Sequence, residues 1–392
     1  MIYLSPMKQK NILILTQPVS HVRLGGIARY AKTHGWHLVI ADRLARLPVG
    51  WTGDGALVSA RGDEAVLAFI RGLVHKGIPV VDLTIDHPEI RVPRASGDHE
   101  ACGRLAAEHL LSRHFTEAAW FSTIWSHSHG LRFKGFADAW QRSTGAPPRR
   151  WVLSEALSAR EFDNWKSFTR RLSALIRKSP KPLAVLGYDD ADAARVLTAC
   201  METGIAVPDE VAIMGIGDDT IVCENQGVPL SSVGHDLARV GYTGAALLDR
   251  LMSGQKTPPD IVWIRPTGIV ARASTDVIAA TDPTVRAAID FIRTHLSDAP
   301  DSRTIAAHLN ISRTRLDRLF AETLHSSVQK ESMRLRLDEV SFRLEHTDHP
   351  IKKIAADMGF SSAAHLTAAF RHATGVPPSA WRQKKARTAT GK

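Results

Sequence analysis

Residues 312–318 read SRTRLDR and gather, within two helical turns, the side chains that recognise nucleic acid. Arginine carries a planar fork of donors that fits the O6 and N7 acceptors of guanine, and aspartate accepts from the exocyclic amine of cytosine. Arg313, Thr314, Arg315, Asp317 and Arg318 therefore form a candidate DNA-reading set. A second hydroxyl-led stretch, SSAAH at 361–365, is almost bare: Ser361, Ser362, Ala363, Ala364 and His365 offer little beyond phosphate anchoring and methyl contacts to thymine. Elsewhere the residue types that drive catalysis do not converge. Cys102, Cys200 and Cys223 form no close pair, which removes a disulfide framework and a cysteine-rich zinc site and points to a reducing compartment. His127 and His129 in SHSH have no further ligand at a suitable spacing, so no metal is expected. The glycine pairs Gly25/Gly26 and Gly215/Gly217 form neither a GxGxxG fingerprint nor a phosphate loop and read as helix-start turns. No Ser, His, Asp set stands out, and no cofactor is expected.

The elements that must position SRTRLDR are helices. RTIAAHLNISRTRLDRLF, 303–320, places Ile305, Ala306 and Leu309 on one face, breaks at Asn310, and restarts behind Ser312 with Leu316, Leu319 and Phe320. That is a helix, a tight turn and an N-capped second helix. IKKIAADMGFSSAAHLTAAF, 351–370, repeats the pattern about 49 residues on, with Ile354, Ala355 and Met358, a turn at Gly359, a cap at Ser361, then Leu366, Ala369 and Phe370. Val328 to Leu344 reads as one continuous helix, long enough to hold the two units about a turn of DNA apart. Residues 284–392 hold 18 Lys+Arg against 11 Asp+Glu, so +7 of the chain's net +10 sits at this end. An excess of that size suits a phosphate-bearing partner.

The paired units, closed by Gly375, Pro378, Trp381 and Arg382 in GVPPSAWR, resemble the AraC/XylS regulator family over about 100 residues. The resemblance implies that the second helix of each unit enters the major groove. It then aims Thr314, Asp317 and Arg318 at base edges and leaves Arg313 and Arg315 near phosphates. The matching face of the second unit is Ala363, Ala364, His365 and Ala368, so the first unit is expected to supply most of the readout.

Ahead of this end the pattern changes. From Asn11, short apolar runs (NILIL, WHLVIA, GALVSA, IPVVDL) alternate with amphipathic stretches, and the rhythm resumes with AAWFS at 118–122, LAVLGYDD at 183–190 and VAIMGIGDD at 211–219. Such alternation predicts parallel sheets covered by helices, in two lobes. The expected domains are a ligand-sensing α/β domain over 1–275, a polar linker over 276–284 and an all-helical domain over 285–392. Residues 1–9 read as a loose lead-in with Met7 as an alternative start. Its apolar run of about five residues is too short for a signal peptide or a membrane span, so a cytoplasmic location is expected.

SGDHEACGRLAAEHL at 96–110, GLRFKGF at 130–136 and VPDEVAIMGIGDD followed by PLSSV resemble, in that order, the periplasmic-binding-protein-like sensor of LacI-type repressors. The resemblance implies a small ligand in the cleft at the C-terminal ends of the strands. A sugar needs forked donors and paired acceptors there. By motif position these are Arg132, Asp189 and His235, with Asp190 beside them, Asp218 one step after the position where such sensors hold a chelating aspartate, and Trp125 as a stacking face. A sensor of this kind joined to an AraC-type end, with Ser274, Thr275, Asp276 and Asp282 at the junction, is a combination that resembles xylose-responsive activators. It implies a homodimer that answers to xylose, binds operator DNA and engages RNA polymerase, with another pentose or sugar derivative as the alternative effector. Two other classes compete: a DNA-repair methyltransferase with an AraC-type end, which requires an activated cysteine, and a transport receptor, which requires an export signal.

Overall fold

The computed structural model describes residues 9–16, 20–41, 47–60, 64–162, 164–256, 261–280 and 282–383, so the lead-in with Met7 and the start of the helix expected at Asp63 lie outside the described residues. The apolar runs of the first half become strands, buried at the centre of the sheet and partly exposed in the edge strand Trp36–Ile40. β1 (Lys10–Leu15), α1 (His21–His34), β2 (Trp36–Ile40), β3 (Gly55–Val58), α2 (Glu64–His75) and β4 (Val80–Asp82) make a first lobe whose four strands run parallel in the order β2-β1-β3-β4. β5 (Ala95–Gly97) leads across to a second lobe. There follow α3 (His99–Leu111), β6 (Glu117–Ser122), α4 (His127–Thr144), β7 (Arg149–Val152), α5 (Leu153–Ala156), α6 (Ala159–Phe162), α7 (Trp165–Lys178), β8 (Leu183–Gly187), α8 (Asp190–Glu202), β9 (Val211–Gly217), α9 (Thr220–Glu224) and β10 (Ser231–Gly234). The chain returns to the first lobe as α10 (Leu237–Met252). It crosses back through β11 (Val262–Ile264), which pairs in parallel with β5, to β12 (Gly268–Val270), the antiparallel edge of a sheet ordered β12-β10-β9-β8-β6-β7.

Each lobe has its own core because central strands covered on both faces bury nearly all their residues. Ile12, Ile14, Leu57 and Val81 pack under Val240, Ala245 and Leu248 of α10. The opposite face of that sheet packs Leu13, Val58, Leu67 and Ile70. In the second lobe Phe121, Val185 and Ile213 meet Leu172 and Val196. Close helix crossings set the angles. A methyl on Gly103 of α3 would lie 2.0 Å from the carbonyl oxygen of Arg132, and one on Gly135 of α4 the same distance from that of Glu100, so only glycines let α4 settle against α3 with Arg132 in place. Gly25 and Gly26 lie inside α1, not in a helix-start turn. Gly26 faces the backbone of Ala238, where a side chain would stand 1.9 Å from its oxygen.

The helical unit follows. The chain divides into two compact units, Met1–Val277 and Ile278–Lys392. The second unit holds α11 (Pro283–Thr294), α12 (Ser302–His308), α13 (Arg313–Leu324), α14 (Val328–His346), α15 (Ile351–Asp357) and α16 (Ala363–Thr374). Ile278 and Ala280, inside the expected linker, pack in the core of this unit with Ile289, Ile305 and Phe320. α14 serves two cores: Val328 and Leu335 face the first helix-turn-helix, while Leu337, Val340 and Leu344 face the second. At 1.5 Å per residue its 19 residues span ~28 Å.

Candidate functional site

In the first unit the candidate ligand residues fall into separate clusters. Arg132, on the second turn of α4, is buried, with 4% of its surface exposed. Its Nε donates to His99 Nδ1 at 3.0 Å, its Nη1 to the carbonyl oxygen of Tyr188 at 2.5 Å, and its Nη2 pairs with His235 Nδ1 at 3.1 Å. The guanidinium also lies 4.4 Å from the centre of the Tyr188 ring. Because both Nδ1 atoms accept, each of these imidazoles carries its hydrogen on Nε2, and that of His99 points to Ser96 Oγ at 3.3 Å. His235 itself lies over Gly97, where a side chain would collide with its ring at 1.7 Å. Arg132 is therefore held from three sides, and Asp189, the next residue after Tyr188, is half-buried. Asp189 caps α8 by accepting from Asp192 N at 2.8 Å.

The other carboxylates are committed elsewhere. Asp190 is buried and ties β10 to the start of α9: it accepts from Ser232 Oγ at 2.5 Å and from Asp219 N at 2.8 Å. Burial pushes its pKa up to about 6 against those two hydrogen bonds, with Asp189 and Asp218 adding repulsion. Gly215 and Gly217 belong to β9 rather than to a helix-start turn, and both line this carboxylate. Burial likewise raises Asp192 to about 7, helped by Asp189 and opposed by Arg195 and the hydrogen bonds from Thr123. Asp218, at φ 55°, turns its carboxylate to Arg272 at 2.8 Å. Trp125 sits on the rim, 38% exposed, with the Arg150 guanidinium 4.5 Å from its ring centre.

Residues that sequence reasoning missed complete the site. Tyr188 stacks on His129 at 3.5 Å, and its hydroxyl pairs with Ser128 Oγ at 3.1 Å. Ser126, the N-cap of α4, makes no capping bond with its own side chain. Asp86, from the first lobe, supplies it: Oδ1 accepts from Ser128 N at 2.9 Å and from Ser126 Oγ at 2.7 Å, and Ser126 Oγ also meets His129 Nδ1 at 2.7 Å. One lobe thus caps the helix of the other that carries His129 and Arg132. No spacing in the sequence links Asp86 to this helix. His99, by contrast, follows the Asp98 cap within a recognised stretch, and its position there was the available signal. Among the described residues no group of three His, Cys, Asp or Glu is placed to hold a metal ion.

In the second unit both turns use the left-handed region, Asn310 at φ 53° and Gly359 at φ 65°. Ser312 Oγ accepts from Arg315 N at 3.2 Å, so it caps α13. The second cap is Ser362, not Ser361: Ser362 Oγ accepts from His365 N at 3.0 Å, while Ser361 Oγ meets His365 Nδ1 at 3.0 Å. The second turn is one residue longer, so buried Leu366 and Phe370 match Leu316 and Phe320 at an offset of 50 rather than 49. Ala363, Ala364 and His365 then correspond to Arg313, Thr314 and Arg315, and Thr367 and Ala368 to Asp317 and Arg318. Arg313, Thr314, Arg315 and Arg318 are exposed, and so are Ser361, Ser362, Ala364, His365 and Ala368; Ala363 and Asp317 are half-buried. Asp317 is engaged by Arg313 at 3.3 Å, and Arg318 reaches Glu322 at 3.8 Å. Behind this surface Arg336 of α14 donates to Met358 O at 2.8 Å and lies over the Phe360 ring at 4.1 Å, which clamps α14 to the second turn. Trp381 packs edge-on against Phe370, and Arg382 donates to His349 O at 2.6 Å, so the closing signature residues brace the fold.

Comparison with known proteins matches a periplasmic binding protein-like domain to residues 107–275 and a helix-turn-helix domain to residues 305–384. The chain is a DNA-binding transcription regulator that places the first kind of domain ahead of the second. It is 25% identical over 373 residues, 91% of this chain and 92% of its relative, to the xylose operon regulatory protein of Escherichia coli (strain K12). The protein of the same name from Haemophilus influenzae is 27% identical over 293 residues, 74% of each chain. A solved structure described as the xylose-binding transcription activator xylR shares the fold, with a TM-score of 0.60 at 21% identity over 96% of this chain and 98% of that one.

Proposed function

We propose that the cleft of the first unit takes a monosaccharide, with xylose as the leading effector, and that its closure regulates DNA binding by the second unit of a homodimer that recruits RNA polymerase in the cytoplasm. The observation that carries the reading is buried Arg132 held between His99, His235 and the Tyr188 carbonyl, one residue before Asp189. A buried, fixed fork is one of the groups that vicinal hydroxyls require. His235, Asp189 and Trp125 are assigned to the sugar, Asp190 and Asp218 to holding the loops around it, and the exposed faces of α13 and α16 to the operator. The relatives named for a xylose operon support the choice of pentose. The same reading takes 1–275 as the sensing domain, 276–284 as the junction and 285–392 as the DNA-binding domain.

Nothing in the site calls for catalysis. Burial pushes the Cys102 thiol up to about 11 and Cys200 to about 12, and raises Cys223 as well, so none is the activated thiolate that an alkyl-transfer enzyme needs. Among the described residues no helix is long and apolar enough to cross a membrane. Calorimetric titration of the intact chain with a panel of pentoses and hexoses tests the proposal. Xylose should bind, and Arg132→Ala should weaken it by roughly 10- to 100-fold, the loss of one or two charge-assisted hydrogen bonds. Heat exchange with none of the sugars, in a chain that still melts cooperatively, would overturn it.

A further inference from the structure

The outer face of α7, WKSFTRRLSALIRK, carries Lys166, Arg170, Arg171, Arg177 and Lys178 and no acid. Some cations elsewhere on this surface are paired, as Lys134 is with Glu100 at 3.0 Å and Arg150 with Glu155 at 2.8 Å. Among the described residues the five cations of α7 make no ion pair, and Arg177 reaches only the carbonyl oxygen of Thr203 at 3.5 Å. The nearby carboxylate of Glu161 is taken by Ser158 N at 3.1 Å and Ser158 Oγ at 2.6 Å. Lys166, Arg170, Arg177 and Lys178 border an open hollow of about 660 Å³ that also meets Glu202 and, at its other end, Trp165. Trp165 is 54% exposed and stacked parallel to Phe168.

Length decides which anion this strip fits. From Lys166 to Lys178 the helix runs ~18 Å at 1.5 Å per residue, several times the size of one phosphate group. One strand of duplex DNA presents a phosphate about every 3.4 Å of axis, so the strip faces about five in a row. A sugar phosphate or nucleotide would leave most of these charges unmatched, whereas a linear polyanion follows the cations that border the hollow. The exposed Trp165 adds an apolar ring and an indole donor suited to the deoxyribose-phosphate edge. We propose that α7 is a second, sequence-independent DNA contact, through which the sensing unit grips phosphates outside the bases read by α13 and α16.

The test uses the intact chain and an operator selected from random duplexes by that chain, in two forms: trimmed to the selected sequence, and extended by several helical turns on each side. Lys166, Arg170, Arg177 and Lys178 are changed together to Gln. On the extended duplex the variant should bind more weakly and flatten the salt dependence of binding by about 0.9 for each phosphate that α7 no longer neutralises, roughly 3 to 4 in all. On the trimmed duplex it should match the unaltered chain. A second variant carrying only Arg170→Lys and Arg177→Lys keeps the charge, and should retain both the slope and the affinity. Equal slopes for the unaltered chain and the quadruple variant on the extended duplex would overturn the proposal. So would equal slopes accompanied by loss of transcription with RNA polymerase, since the face would then meet protein. Should the quadruple variant fail to fold, Arg170→Gln and Arg177→Gln are read singly, each expected to leave about one phosphate without its cation. Sequence-specific binding of the unaltered chain to the trimmed duplex reports on the helix-turn-helix units separately.

Discussion

Asp190 shows how a buried carboxylate couples loop geometry to pH. Its folded-state pKa of about 6 lies above the ordinary 3.8, because burial outweighs the hydrogen bonds from Ser232 and Asp219. Above pH 6 the folded and unfolded chains both carry the charge, and the fold bears the cost of burying it. As pH falls from 6 toward 3.8 the folded chain takes up a proton first, and stability rises. Asp190→Asn should remove this contribution, worth up to roughly 3 kcal/mol, and so flatten the rise that urea unfolding records on acidification. An unchanged pH profile would mean that Asp190 is not buried as a charge. Asp192, raised to about 7, contributes in the same direction and remains in the variant. At the DNA end, the ion-pair partner of Arg318 among the described residues is Glu322 at 3.8 Å, and both side chains are exposed, so its fork is available to a base. Arg318→Ala should cost roughly 1 to 3 kcal/mol on the operator at fixed salt and relax preference at one base position. Uniform weakening across all sequences would place Arg318 on a phosphate instead.

Two helix starts differ in kind, because one is capped from within and the other from across the cleft. α16 begins on Ser362, whose hydroxyl takes the orphan amide of His365. Ser362→Ala should lower the stability of the helical unit by about 1 kcal/mol, whereas Ser361→Ala should cost a few tenths, a difference that thermal melts resolve. Equal costs would restore Ser361 as the cap. α4 takes its cap from Asp86 of the opposite lobe, so its first turn is fully bonded only while the lobes are together. Asp86→Ala should therefore weaken sugar binding by roughly 10-fold, chiefly through faster dissociation, which stopped-flow measurements separate from association. A change confined to the association rate would argue against Asp86 as a clasp between lobes.

At the scale of the whole molecule, a sugar that closes the first unit and alters DNA affinity must itself bind more tightly or more weakly to the DNA-bound chain, by the same factor, commonly about 5- to 150-fold. Titrating xylose with and without operator should return that reciprocity; identical sugar affinities in the two states would uncouple the units. Much of this architecture was legible in the residues. Long apolar runs marked β1, β3, β6, β8 and β9, since strands covered on both faces are apolar throughout. Helical spacing around Asn310 and Gly359 marked both helix-turn-helix units, because a break flanked by two amphipathic stretches has few other solutions. The three-residue strands β5, β11 and β12 escaped, being too short for periodicity to show. The cap at Ser362 escaped because the extra residue in the second turn changes register without changing composition. Arg132 stood out from its place in a recognised stretch, but that its donors go to His99, Tyr188 and His235 is a matter of three distant segments converging at strand ends. Local pattern, which depends on neighbours within a few residues, specified elements and chemistry; partners 33, 56 and 103 positions away were chosen only when the second lobe packed and left those polar groups to satisfy one another out of water.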